Sequence, residues 1–379
     1  LVPLQIGAVD MAFPKLNAAS YWSYFVGGFI MISSFFMPEG AARSVWTSYP
    51  PLTIIENGQT IRLISMIFLI TSSLLGSMNI IVTIVQLRAP GLTWMRLSVF
   101  VWAQFVTSFL LVLAFPPLEA AAILQLMDRV AGTSFFLPSG LILSGEIVDV
   151  AGYGSPLLWQ HLFWFLAHPE VYVLILPALG IVGEILANNT RKPIWGFKSI
   201  IYSMVFLGFC SFIVWAHHMF TSGTPPWMRL FFTIATSFIA VPTGIKFFNW
   251  VATLWGGRIS LNSAILFSCG FIINFVLGGI TGLYEAMGSN KYGVSPIEAL
   301  VTGVQYSHLP FAVYNKQNNP VMIMGVIPQG EKLGMIWLLS SPEIVLKAIK
   351  SDSILIEFSY KFFKLFSVLI SSINYILNL

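Results

Sequence analysis

The chain has 379 residues, of which 56% are hydrophobic and 9% charged, with a mean hydropathy of +0.82. A soluble domain carries about 25% charged residues. The composition therefore excludes a soluble enzyme, a secreted disulfide scaffold and a disordered chain, and points to a polytopic helical membrane protein. The net charge of +4 gathers in no basic cluster, so no nucleic-acid partner is expected. Cys210 and Cys269 both lie in apolar runs, which supports neither a disulfide framework nor a cysteine-type zinc site. Residue 1 is Leu and no charged segment leads into an apolar one, so no signal peptide is expected and the chain reads as part of something longer.

Seven apolar stretches are long enough to cross about 30 Å of hydrocarbon. They lie near 17–36, 60–87, 97–126, 157–187, 197–218, 228–255 and 260–283. The expected fold is all-α, a polytopic transmembrane bundle of about seven spans. A barrel is excluded, because no segment alternates apolar and polar residues over about ten positions. Alternate loops carry Lys15, Arg88, Arg96, Arg191, Lys192, Lys198 and Arg258, which places them on the cytoplasmic or matrix side. The opposite loops carry Arg43 and Arg129, mixed with Glu39, Glu56, Asp128, Glu146 and Asp149. Asp10 is then an acid on the basic side. Residues 284–379 change character, with Gly, Asn, Pro and Gln and then a lysine-dotted apolar stretch, and the sequence assigns them no particular fold. From Phe358 on, an amphipathic interfacial helix or a poor span is possible.

Of the five histidines, His168 falls inside the fourth stretch, and His217 and His218 are adjacent at the end of the fifth. Ionisable residues in a membrane are costly and usually functional. Neutral imidazole suits copper, zinc and iron alike, so three rings from two helices can make a trigonal site with an open position. The bland alternative is a set of hydrogen-bonded core histidines, which suits His161 better than this trio. His308 lies outside the clear stretches. Tyr172 follows His168 by four residues and shares its helix face. Glu170 points elsewhere, and Pro169 frees a backbone carbonyl nearby. A glutamate in hydrocarbon is held largely as the neutral acid, which suits a proton relay, or else simply bonds a neighbouring helix.

The sixth stretch contains TIATSFIAVPTGIKFFNW. Lys246 is too deep in it to snorkel easily. Thr243 is about one turn before it and Thr236 about two turns earlier, so the three fall near one stripe. Such a stripe reads as a water-lined proton path. The bland alternative is threonines bonded to their own helix carbonyls, with the lysine stretched to the surface.

Three segments, QHLFWFLAHPEVYVLILP, VWAHHMF and IAVPTGIKFFNWVATLWGG, together resemble subunit I of the haem–copper oxidases, the cytochrome c oxidase type. LVPLQIGAVDMAFPKLNAASYW, VWTSYPPL and GRISLNSAILFSCGFIINFVLGGITG extend the resemblance over residues 1–283, leaving 284–379 as a divergent tail. The resemblance implies that His168, His217 and His218 hold copper. It implies that Tyr172 is the tyrosine joined covalently to a copper-ligand histidine, supplying an electron and a proton. Asp10 and Asn17 match the mouth of one proton path and Glu170 its inner end. Lys246, Thr243 and Thr236 match a second path leading toward Tyr172, while Trp46 and Tyr49 match the outer loop over the haem propionates. The implied activity is reduction of dioxygen to water coupled to proton pumping. Electrons would come from cytochrome c or, alternatively, a quinol. Oxidase subunits II and III are the implied partners, within the lipid of a bacterial cytoplasmic or mitochondrial inner membrane.

The sequence also departs from the family. A serine usual near the inner end of the fourth stretch is here Gly183, followed by Glu184, which leaves either Glu184 or a water as the entry to the second path. The first two family spans and about three trailing ones, with the axial ligands of two haems, have no counterpart. A split subunit or a truncated, non-catalytic membrane fragment is therefore the competing expectation. Nitric oxide reductase, the alternative within the same superfamily, is disfavoured by Tyr172 and Lys246.

Overall fold

The computed structural model describes residues 1–38, 40–54, 58–141 and 152–282 in full, with backbone alone at 55, 142–143, 146–147, 283–292, 309–314, 320–329 and 333–340. The chain divides into two compact units, Leu1–Gly293 and Val294–Leu379.

The first unit is helical. A short α1 (Val2–Ile6) precedes α2 (Pro14–Ser33), α3 (Leu52–Ile55), α4 (Gln59–Gln86) and α5 (Val99–Val130). A two-residue antiparallel pair, β1 (Ile142–Leu143) and β2 (Glu146–Ile147), leads into α6 (Pro156–Thr190), α7 (Phe197–Ser211), a 3-10 turn over Trp215–Met219, α8 (Pro226–Phe238), α9 (Ala240–Leu254) and α10 (Ser263–Tyr292). The helix starts follow from the local sequence. Ser98 accepts the N–H of Val101 at the head of α5, and Ser155 accepts that of Leu157 at the head of α6, with Pro156 in the first turn. Pro242 has no N–H to offer the Phe238 carbonyl, and the sixth stretch accordingly breaks at Ile239 between α8 and α9.

Five helical segments are long and apolar enough to cross a membrane: Gln59–Gln86, Val99–Val130, Pro156–Thr190, Pro226–Leu254 and Ser263–Gly282. The chain is an integral, multi-pass membrane protein. Two of the seven expected stretches fall outside this set. The first forms α2, whose leading half carries Lys15, Asn17, Ser20 and Ser23. The fifth stops after 15 helical residues at Ser211, short of the ~20 that a span needs.

Small residues and hydroxyls bring the helices together, as expected where lipid is as apolar as leucine. Between α2 and α4, Ser20 donates to the Ser72 carbonyl at 2.8 Å and Ser72 returns the bond to Ser20 at 2.6 Å. Between α5 and α6, a Cβ on Gly180 would lie 2.9 Å from the Phe100 Cα. One apolar core runs through α5, α6, α7 and α9 around Leu176, Met204 and Trp250. A second joins α4, α5, α6 and the 3-10 turn around Leu118, Trp159, Trp164 and Met219.

In the second unit, β3 (Leu309–Tyr314), β4 (Pro320–Gln329) and β5 (Leu333–Ser340) form an antiparallel sheet in that order. Phe311 pairs with Met324, and Gly325 with Trp337. His308 and the stretch from Phe358 lie outside the described residues.

Candidate metal centre

Helix α6 presents Trp164, His168 and Tyr172 at four-residue spacing, hence on one face. The 3-10 turn supplies the other two imidazoles. Ala216 and Met219, three apart and both buried, anchor it in the second core. That anchoring turns His217 toward α8 and His218 toward α6.

The three rings converge. His217 Nε2 lies 2.9 Å from His218 Nε2, which lies 3.3 Å from His168 Nδ1. One nitrogen from each ring fits within 4.8 Å of the others. Three imidazole nitrogens bound at about 2.0 Å would stand about 3.3–3.5 Å apart, so the spacing suits a transition-metal ion. The chemistry of the donor set agrees, since one cation accepts all three lone pairs at once. His217 uses its remaining nitrogen on Thr236, with 2.9 Å between Nδ1 and Oγ1, the second hydrogen bond that commonly orients a metal-ligating histidine. His168 is buried and its Nε2 has no hydrogen-bond partner. The Tyr172 ring is its neighbour, with centroids 4.8 Å apart.

Trp164 stacks on His218 at 4.0 Å and 12°. Its indole N–H donates to the Tyr49 hydroxyl at 2.6 Å, and Trp46 meets it edge-on. The loop that carries Trp46 and Tyr49 therefore reaches the imidazole cluster through one tryptophan. Burial pushes the Tyr49 phenol above its usual range, and the bond from Trp164 offsets part of that rise. Sequence reading missed Trp164, although the same spacing that singled out Tyr172, taken toward the N-terminus, points to it.

The residues expected on the two proton paths are scattered by comparison. Lys246 is fully buried and donates to the Pro242 carbonyl at 3.3 Å, so it does not reach the surface. Thr243 donates to its own helix at Ile239, 3.0 Å away. Thr236 sits across the Ile239 break and touches His217 instead. Asp10 is exposed and accepts the Met11 N–H, Asn17 is exposed on α2, and Glu170 is exposed on α6; the described hydrogen bonds do not join them. A Cβ at Gly183 would lie 3.6 Å from the Trp250 Nε1, a buried donor without a partner. Glu184 accepts the Val99 N–H at the head of α5. His161 accepts the Trp215 indole N–H, the behaviour of a core histidine.

The sequence profile of the family described as Cytochrome C and Quinol oxidase polypeptide I matches residues 1–295. The chain belongs to this family. The cytochrome c oxidase subunit 1 of Synechocystis sp. is 47% identical over 288 residues, which is 76% of this chain and 50% of that protein. The subunit 1 of Thermostichus vulcanus is 45% identical over 318 residues, 83% of this chain and 54% of the relative. The alternative cytochrome c oxidase subunit 1 of Bradyrhizobium diazoefficiens is 42% identical over 343 residues, 89% and 55% respectively. The chain spans about half the length of the curated relatives it matches. Within the cytochrome c and quinol oxidase polypeptide I family, the imidazole cluster is the part of the described chain with the geometry of a metal centre.

Proposed function

We propose that the chain is the core of the catalytic subunit of a terminal respiratory oxidase. It would reduce dioxygen to water with electrons from cytochrome c, coupled to proton pumping, within a bacterial cytoplasmic or mitochondrial inner membrane. The observation that carries the proposal is the convergence of His168, His217 and His218 from α6 and the adjoining turn. Copper would be held by these three imidazoles and would supply electrons to oxygen there. Residues 1–283 form this oxidase bundle and 284–379 a divergent tail.

The chain's own residues then take the following parts. His168 would ligate through Nδ1, which leaves its buried, unpartnered Nε2 beside the Tyr172 ring for the covalent link between them, a bond that forms with loss of one hydrogen from each ring and passes two electrons to dioxygen. Thr236 fixes the orientation of the His217 ring. Trp46 and Tyr49 hold the outer loop over the haem propionates and press on His218 through Trp164. Tyr172 yields a proton and an electron, and Lys246, with Thr243 less than a turn away on α9, returns the proton from the inner side. Asp10 and Asn17 collect protons on that side for Glu170. Oxidase subunits II and III complete the assembly. The two haems of the complete subunit need axial ligands beyond those described here, since His161 is tied by Nδ1 to the Trp215 indole.

The test is elemental. In the purified complex, His217→Ala removes one ligand and exposes the site to water, so the copper of this centre is lost and oxygen consumption stops. Full copper in that variant overturns the assignment.

A further inference from the structure

The segment that carries Trp46 and Tyr49 is held in an unfavourable backbone shape. Val45 and Ser48 stand at φ 52° and 50°. Neither is glycine, and a β-branched residue at positive φ is rare because its Cβ crowds the following carbonyl. Val45 immediately precedes Trp46 and Ser48 immediately precedes Tyr49, the two residues that meet Trp164. A left-handed residue reverses the local course of the chain, so it decides where the next side chain points. Such backbone persists only where its surroundings force it, and it gathers at functional sites.

The forcing groups are present. The four consecutive carbonyls from Val45 to Ser48 each accept a hydrogen bond from a side chain of a neighbouring helix. Arg62 of α4 donates through Nη1 to Val45 and through Nη2 to Trp46, the latter at 2.9 Å. Trp159 of α6 donates its indole N–H to Thr47 at 2.9 Å, and Gln125 of α5 donates to Ser48 at 3.1 Å. Gln125 also accepts from the Gln59 amide at 3.1 Å, and Gln59 accepts from the Ser44 hydroxyl at 3.0 Å. Both glutamines are fully buried. The pair ties Ser44 to Ser48 across the base of the loop, and Arg62 grips the stretch between.

The far end of this series of contacts is His218. Its Nε2 takes part in both close imidazole contacts, 2.9 Å from His217 and 3.3 Å from His168. A metal-ligating histidine is commonly oriented by a bond to its other nitrogen, as Thr236 does for His217. Among the described residues no hydrogen bond reaches His218 Nδ1. The stack with Trp164, at 4.0 Å, takes the place of that bond. We infer that Arg62 and Gln125 are positioning residues for the metal centre. They hold Val45 and Ser48 in left-handed backbone, which aims Trp46 and Tyr49 at Trp164 and so sets the plane of the His218 ring. The inference rests on reading the three imidazoles as a copper site.

The experiment compares Arg62→Met, Val45→Gly and the double variant with the parent, each as the intact purified complex. Affinity for the copper of this centre is read by competition with a chelator, and its imidazole shell by X-ray absorption at the copper edge. Arg62→Met lets Val45 relax to negative φ, and affinity should fall about 10-fold, the lower end of what an orienting partner contributes. Val45→Gly alone should stay within about 2-fold of the parent, because glycine takes positive φ as readily as negative and Arg62 still grips it. In the double variant glycine keeps the left-handed form about half the time without the arginine, so affinity should return to within about 2- to 3-fold of the parent. The imidazole signal should recover in step. A general loss of stability would be deepened by glycine, not repaired. Gln125→Leu with Ser48→Gly forms a second set with the same expectation. If Arg62→Met does not assemble, Arg62→Lys, which keeps the charge and loses the fork, replaces it in the comparison. Parent affinity in the arginine variant, or a loss that Val45→Gly does not repair, overturns the inference. His217→Ala is measured alongside. Copper retained there refutes the copper site itself, whereas copper lost there with Arg62→Met unchanged refutes only the positioning role.

Discussion

The imidazole cluster and the lysine stripe are two polar clusters inside the same bundle, and they are built in opposite ways. The cluster is assembled across elements. His168 comes from α6, His217 and His218 from the 3-10 turn, and the orienting hydroxyl of Thr236 from α8, with every link between 2.9 and 3.3 Å. The stripe satisfies itself within one helix, with Lys246 on the Pro242 carbonyl and Thr243 on that of Ile239. A polar group bonded to its own helix needs nothing from its neighbours, so its structure alone does not reveal a purpose. Convergence from separate elements has a cost in ordering that a core histidine has no reason to meet. The cluster is therefore evidence of a site, whereas the stripe stands on the burial of one lysine.

The hardest test of this contrast is Lys246→Met. The methionine fills a similar volume without a charge, so folding and copper content should hold. If the lysine moves protons to Tyr172, its loss should slow reduction of the metal centre by about 10²–10⁴-fold, the range of a positioned acid or base. Reaction of an already reduced centre with oxygen should stay near the parent rate. Stopped-flow reduction at the parent rate would leave Lys246 as a buried lysine without function and would widen the contrast to its limit.

Thr236→Val has a smaller effect, and in a different observable. Valine keeps the shape but leaves His217 Nδ1 without its 2.9 Å partner. Removing such an orienting bond costs about 10–100-fold in metal affinity. Competition with a copper chelator in the complex reads this directly. Affinity unchanged from the parent would return Thr236 to the stripe and leave the cluster held by its three rings alone.

How much of this was legible in the sequence varies with the kind of signal. The helices at 59–86, 99–130 and 156–190 follow from apolar length, and the α8–α9 break follows from Pro242, which the sequence displayed within its stretch. The end of α7 at Ser211 did not show, because VWAHHMF continues the apolar run while the backbone tightens into a 3-10 turn. His168, His217 and His218 stood out as ionisable groups in hydrocarbon. Trp164 did not, because a tryptophan in an apolar helix is ordinary until its ring is seen 4.0 Å above His218. Thr236 was grouped with Thr243 and Lys246 by helical spacing, and that grouping assumed a continuous helix. The break at Ile239 carries Thr236 to the imidazoles instead.

Thr243→Val probes the weakest part of the contrast. Its hydroxyl hydrogen is committed to the Ile239 carbonyl at 3.0 Å, so toward a proton path the side chain has only lone pairs to offer. Losing one hydrogen-bonding group of this kind costs about 0.5–1.5 kcal/mol, equivalent to a roughly 2- to 12-fold slower reduction of the centre. Thr243→Ser keeps the oxygen and should stay at the parent rate, which separates the hydroxyl from the shape of the side chain. If both variants match the parent, the hydroxyl serves its own helix alone and Lys246 works without it. If Thr243→Val instead falls as far as Lys246→Met, the threonine hydrogen must leave Ile239 during turnover. The self-bonded arrangement would then be the resting form of a path that rearranges to carry each proton.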